Sequence, residues 1–133
     1  MRPHLPAICG AAALVLAGAA SAAPVDDLLA ECAAAGAGPF FAERGRTAWT
    51  AEHHPEEGAA RRCADCHGSD LTRAGEHLRT GKRIEPLAPS ANPERLSDER
   101  KIRKWLYRNC KWTLGRECTP QEKGDFLTFI RAR

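Results

Sequence analysis

The chain has 133 residues, of which 20 are basic and 17 acidic, giving a formal charge of +3. That length suits one domain rather than two, and a charge so near balance excludes the strong field that nucleic acid or an anionic membrane would select. Only 6% of residues are aromatic, few for a domain of this size that must build its core from side chains alone.

Residues 1–22 read as a secretory signal peptide. Arg2 supplies the positive start, an apolar stretch runs from Leu5 to Ala20, and Ala20-Ser21-Ala22 offers small residues for cleavage. An uncleaved anchor is the alternative, but the run is short for a spanning helix. Cleavage near Ala22 leaves residues 23–133 as one exported, periplasmic domain without a membrane segment. It removes Met1, Arg2 and Cys9, so that 19 basic and 17 acidic residues leave +2. Five cysteines remain, at 32, 63, 66, 110 and 118. Export permits disulfides, and an odd count means that at least one cysteine does something else.

No strand alternation and no internal repeat stand out; the pattern is all-α, short helices joined by long Pro/Gly-rich loops. Asp26 to Ala35 forms a first, Ala-rich helix ended by Gly36, with Cys32 a buried small residue on it. Phe40 to Ala51 forms a second. Gly45 and Trp49 stand one turn apart there, so a crossing helix can approach closely. Glu52 to Arg62 is a polar loop containing His53 and His54. A turn at Cys63–His67 leads into a loop from Gly68 to Pro93. Ser97 caps the next helix, with Asp98 and Glu99 in its first turn, and that helix runs to about Asn109. Thr119-Pro120-Gln121-Glu122 is a capping box with Pro at the first helical position. It opens a last helix through Ile130, whose face of Phe126, Leu127, Phe129 and Ile130 packs inward.

Cys63-Ala64-Asp65-Cys66-His67 is the C-x-x-C-H pattern of covalent haem attachment. Each thiol adds across one vinyl group, and the following histidine then stands ready to ligate the iron. A thioredoxin-type pair would need a βαβ context, and a zinc site would need a second ligand pair at metal spacing; neither is present. One haem c, with His67 as an iron ligand, is therefore expected.

The second axial ligand cannot be methionine, because Met1 is the only one. His53, His54, His77, Asn92, Asn109, a lysine, or no residue at all remain. Ile102, Trp105, Leu106 and Asn109 fall at i, i+3, i+4 and i+7, one helix face on which Asn109 is the polar member. A buried amide needs a partner, and iron is one. Ending the helix or bonding to backbone is another explanation. Trp105 is expected to pack near the haem, or else between helices. Arg73, Arg79 and Lys82 lie between the haem motif and this helix, where they can hold haem propionates or form a solvated basic loop.

From about Glu43 onward the chain resembles the asparagine-ligated, oxygen-binding monohaem cytochromes c of the SHP type. The matching segments are Glu43-Arg44-Gly45-Arg46, the haem motif with Gly68, Thr72-Arg73-Ala74-Gly75 and Arg79-Thr80-Gly81-Lys82. They continue with Pro86-Leu87-Ala88-Pro89-Ser90-Ala91, Lys104-Trp105-Leu106, Arg108-Asn109-Cys110, Gly115-Arg116-Glu117-Cys118-Thr119-Pro120 and Glu122-Lys123. The Arg-Asn-Cys segment with a second cysteine close behind is the most specific of these. The resemblance implies a class I cytochrome c fold, Asn109 as second iron ligand and a Cys110–Cys118 disulfide. It also implies a diheme cytochrome c, or another periplasmic redox protein, as partner. His53, His54, His77 and Cys32 depart from the family pattern, and the histidines keep a bis-His electron carrier in view. The reading that follows is electron transfer with a ferrous iron open to O2, NO or CO. An enzyme acting on O2, NO or reactive oxygen species is less supported, since no acid/base constellation accompanies the motif.

Overall fold

A computed structural model describes residues 23–133; the signal-peptide reading, Cys9 and Met1 lie outside the described residues. Five helices and one small hairpin follow in order: α1 Pro24–Ala34, α2 Ala42–Thr50, α3 Cys63–His67, β1 Gly75–Glu76, β2 Arg83–Ile84, α4 Glu99–Leu114 and α5 Pro120–Arg131. No described helix is long and apolar enough to cross a membrane.

The last helix organises the rest. Pro120 starts α5, Thr119 accepts from the Glu122 backbone N–H at 3.2 Å, and the Glu122 carboxylate returns to the Thr119 N–H at 2.8 Å. Two orphan donors of the helix start are thereby satisfied. Its inner face buries Phe126, Leu127, Phe129 and Ile130, large side chains whose removal from water stabilises the fold by about 2–3 kcal/mol each. α2 crosses α5 at Gly45, where a Cβ would lie 2.2 Å from the Asp125 carbonyl oxygen and 2.7 Å from Phe129 Cβ. A turn later Trp49 fills the gap, 5.8 Å from Phe129 and 6.1 Å from Phe126 between ring centres. Asp125, almost fully buried, ties α5 to the start of α2 by accepting from the Phe41 N–H at 2.8 Å and from Arg44 at 2.9 Å.

α1 lies across the other side. Val25, Leu28 and Cys32 are its buried face, and Val25 and Leu28 pack with Ile102 of α4 and Leu127 of α5. At the rim Arg103 pairs with both Glu31 and Glu99, and Arg131 pairs with Asp26.

Four local readings change. The α4 cap is Asp98, not Ser97: Asp98 accepts from the Lys101 N–H at 3.1 Å, while the Ser97 hydroxyl turns back to the Glu94 carbonyl at 2.6 Å. Leu96, at φ 61°, sets that reversal. α4 does not end near Asn109 but continues to Leu114 and stops at Gly115, whose φ of 76° is the left-handed conformation that terminates helices. The loop after the haem motif contains the β1–β2 hairpin, with Gly75 opposite Ile84 and Glu76 opposite Arg83. Finally, the expected single face of α4 divides. Ile102 is buried and Leu106 half-buried, whereas Trp105 and Asn109 are exposed.

Candidate functional site

α3 is one turn long, too short to be stable alone, so its neighbours hold it. At its start the Asp65 carboxylate accepts from the Arg62 backbone N–H at 2.7 Å. At its end the Gly68 carbonyl accepts the indole N–H of Trp49 at 2.9 Å, and the Trp49 ring lies 5.4 Å from that of His67. From the hairpin, Gly75 comes so near that a Cβ would meet the Cys66 carbonyl oxygen at 2.0 Å and His67 Cα at 2.9 Å. These three contacts fix where Cys63, Cys66 and His67 stand.

Cys63 and Cys66 are free thiols, both partly buried. Burial pushes the Cys63 thiol up to about 12, so it is protonated at neutral pH. Burial first, then the charge of Arg95 and the neighbouring His77 ring, bring His67 down to about 4. The imidazole is therefore neutral, the form that offers a lone pair to a metal. Its Nδ1 is buried with no hydrogen-bond partner among the described residues, an uncommon state for a buried ring nitrogen.

α4 carries a second stripe. Trp105, Asn109 and Trp112 fall at i, i+4 and i+7, one helix face. Trp105 is 47% exposed, with Lys104 and Arg108 at 5.2 and 5.3 Å from its ring centre. Asn109 is exposed, while the next residue, Cys110, is buried and disulfide-bonded to Cys118 with Cα atoms 5.5 Å apart. Trp112 gathers the surrounding loops. Arg61 stacks 3.9 Å and Arg79 5.4 Å from its ring centre, and the His77 ring lies 6.3 Å away.

Of the basic residues singled out in the sequence, the structure brings Arg79 to this stripe. The side chains of Arg73 and Lys82 are exposed and have no hydrogen-bond or ion-pair partner among the described residues. The remaining histidines have local roles. His53 Nε2 is 2.8 Å from the Ala48 carbonyl, His54 lies 3.5 Å from Glu52, and His77 Nδ1 accepts from the Arg79 and Thr80 N–H groups, both at 3.3 Å. Asn92 donates to the Pro86 carbonyl at 3.4 Å.

Several contributors were not singled out in the sequence. Trp112 was legible, since it extends the Trp105–Asn109 spacing by three. The grip of Trp49 on Gly68, the stack of Arg61 on Trp112, and Arg95, which donates to the Pro86 and Glu85 carbonyls at 2.8 Å each, depend on tertiary placement and carry no local signal. Two free thiols just before a neutral imidazole, with Arg95 near His67 and Arg79 over Trp112 to receive anionic groups, fit a covalently attached haem and its propionates.

The family described as a domain of unknown function, DUF1924, matches residues 35–130. The cytochrome c-type protein SHP of Cereibacter sphaeroides is 46% identical over 121 residues, which is 90% of this chain and 93% of that protein. Cytochrome c'' of Methylophilus methylotrophus is 37% identical over 68 residues, 51% of this chain and 47% of that protein. Among solved structures, oxidised SHP, described as an oxygen-binding cytochrome c, superposes with a TM-score of 0.75 at 45% identity, over 82% of this chain and 96% of that one. The crystal structure of oxidised cytochrome c'' from M. methylotrophus gives 0.69 at 25% identity, over 80% and 92% of the two chains. The all-α, class I cytochrome c-like fold expected from the sequence is the fold of this chain.

Proposed function

We propose a redox-gated ligand binder and electron carrier as the function of this chain, which belongs to the DUF1924 family and to the SHP-type c cytochromes. Its cofactor is one covalent haem c. Bound there, the haem supplies an iron that exchanges one electron and takes a small diatomic ligand in its reduced state.

In this reading Cys63 and Cys66 form the thioether links and His67 holds one side of the iron. Arg79 stands to receive a propionate, as do Arg73 and Lys82 if their exposed side chains reach it. Trp105 covers the haem edge. Asn109 would be a second protein ligand to the iron. An amide oxygen is a neutral, hard and weak donor, better suited to the oxidised metal than to the softer reduced one. A reduced iron would therefore hold the Asn109 amide more weakly, and the site would admit O2, NO or CO. The observation that carries this is the split between neighbours on α4, where Asn109 is displayed and Cys110 is fastened inward by its disulfide. The lack of any methionine in residues 23–133 supports it. So does the study of M. methylotrophus cytochrome c'', whose solution structure was interpreted in terms of haem-ligand detachment. Export by a signal peptide cleaved near Ala22, a periplasmic location for residues 23–133, and a diheme cytochrome c or other periplasmic redox partner complete the proposal.

Optical spectra of the oxidised and reduced protein test it. The expected result is a six-coordinate low-spin oxidised form, a five-coordinate high-spin reduced form and rapid CO uptake by the latter. Asn109→Ala should change the oxidised spectrum and leave haem attachment intact. Spectra identical to the wild type in both states would remove Asn109 and return His53, His54 and His77 to consideration.

A further inference from the structure

A free thiol and a disulfide line one small cavity. Cys32 of α1 is the free cysteine that stands outside the C-x-x-C-H motif among the described residues, and it is 7% exposed. It shares the wall of a cavity of about 160 Å³ with Cys118, which is 4% exposed and bonded to Cys110. The two bonded cysteines are held differently. Cys110 lies inside α4, whereas Cys118 lies in the non-helical stretch between Gly115 and Thr119. The Cys118 sulfur therefore has backbone freedom to turn, and the cavity gives it room.

A thiolate attacks one sulfur of a disulfide, forms a new S–S bond and expels the other sulfur as a thiolate. Here Cys32, its proton given to water, bonds to the Cys118 sulfur. The Cys110–Cys118 bond breaks, and Cys110 leaves as a thiolate that takes a proton back. One thiol and one disulfide stand on each side of the step, so no oxidant or reductant is consumed.

We propose that Cys32, Cys118 and Cys110 form a thiol–disulfide exchange site, in which the bond moves from Cys110–Cys118 to Cys32–Cys118 and the neighbour of Asn109 is set free. The inference rests on the haem reading, in which Cys63 and Cys66 are spent in thioethers and Cys32 is the one thiol left in residues 23–133. It regulates that same site, because α4 loses the tether beside the residue proposed to ligate the iron. Burial pushes the Cys32 thiol up; Lys123 opposes this, Glu31 adds to it and Arg103 opposes it. Glu117 and Tyr107 line the same cavity. The thiolate is the nucleophile, so exchange is slow at neutral pH and quickens as pH rises.

The test incubates the oxidised haem protein at about pH 7 and about pH 9, quenches it in acid, labels free thiols in denaturant and maps the label on peptides. At the start the label should sit on Cys32. At the higher pH it should move to Cys110 over minutes to hours, about tenfold faster per pH unit, and the optical spectrum should drift in step. The rate should not depend on protein concentration. Cys32→Ser should show neither the label on Cys110 nor the drift. Label confined to Cys32 after long incubation at about pH 9, or the same drift in Cys32→Ser, overturns the inference. Disulfide-linked dimers in place of the shifted label overturn it too. A second variant asks whether the sulfurs meet at all. Cys110→Ser, oxidised with glutathione disulfide, should close Cys32–Cys118 within one chain, and its failure to do so also overturns the inference. Failure of the haem reading is distinguishable, because Cys63 and Cys66 would then appear in the map as thiols or as their own disulfide.

Discussion

The indole N–H of Trp49 donates to the Gly68 carbonyl at 2.9 Å and so ties the middle of the core to the residue that follows His67. Trp49 itself is buried between His67, Phe126 and Phe129. Trp49→Phe keeps an aromatic ring but leaves the carbonyl unpaired. It should destabilise the folded protein by about 1–3 kcal/mol, the cost of a buried polar group without its bond plus a smaller ring. Denaturant titration measures the loss. Circular dichroism in the Soret region should change as well, because the bond sits at the haem motif. An unchanged Soret signal would make Trp49 a packing residue only.

Gly75 is required by space. A Cβ there would lie 2.0 Å from the Cys66 carbonyl oxygen, a backbone atom that cannot step aside. Gly75→Ala should displace either the hairpin or the C-x-x-C-H turn. The expected outcome is a sharp drop in the fraction of purified chain carrying covalent haem, read by mass spectrometry. A fully loaded Gly75→Ala protein with native spectra would show that the hairpin does not govern the motif.

The Cys110–Cys118 disulfide spans eight positions and should contribute about 2–3 kcal/mol in the chain-entropy model. Cys110→Ser/Cys118→Ser should lower stability by that amount and leave haem attachment untouched. If Asn109 is held in place by this anchor, the variant's oxidised spectrum should also show a mixture of ligation states. A variant equal to the wild type in both stability and spectrum would rule out an anchoring role.

Acid stability should depend on Glu122. The Arg116 guanidinium holds its carboxyl at about 2, with the Thr119 N–H assisting and burial opposing. Because the folded value lies below the ordinary one of 4.5, the stabilisation is complete above about pH 4.5 and is lost as pH falls toward 2. With Arg116 half-exposed, screening leaves a contribution of about 1–2 kcal/mol. Glu122→Gln should be less stable than the wild type at pH 6 and converge with it near pH 2. Parallel pH–stability curves for the two proteins would rule out the pair as the cause.

The features legible in the sequence were those written locally. The capping box at Thr119 needs only four residues, and the Gly45–Trp49 spacing announced a close helix crossing, whose partner in the structure is α5. The C-x-x-C-H turn is a pattern of covalent chemistry. What escaped depended on competition between similar signals or on distant contacts. Ser97 and Asp98 are both good caps, and the left-handed Leu96 decides between them by turning Ser97 backward. Asn109 reads as a helix end, yet nothing from Cys110 to Leu114 breaks a helix, and the true stop is Gly115. The face of Ile102, Trp105, Leu106 and Asn109 looked single because its polar partners were obvious. Only the packing of α1 shows that Ile102 and Leu106 turn one way and Trp105 and Asn109 another. Arg61 is 51 positions from Trp112, a separation at which no sequence pattern speaks.

The continuation of α4 past Asn109 bears on speed. A residue at a fraying helix end can leave its post by local unwinding, which is slow and must be reversed at every cycle. Asn109 has five more helical residues after it, and the first of these, Cys110, is bolted to Cys118. Its backbone therefore stays fixed, and in the role proposed for Asn109 release would reduce to rotation of one short side chain about two bonds. Exposed side chains make such rotamer changes in picoseconds to nanoseconds. The proposed gate would open and reclose without waiting for the fold, so the time course of ligand uptake would be set by bond breaking at the metal and by diffusion rather than by the polypeptide.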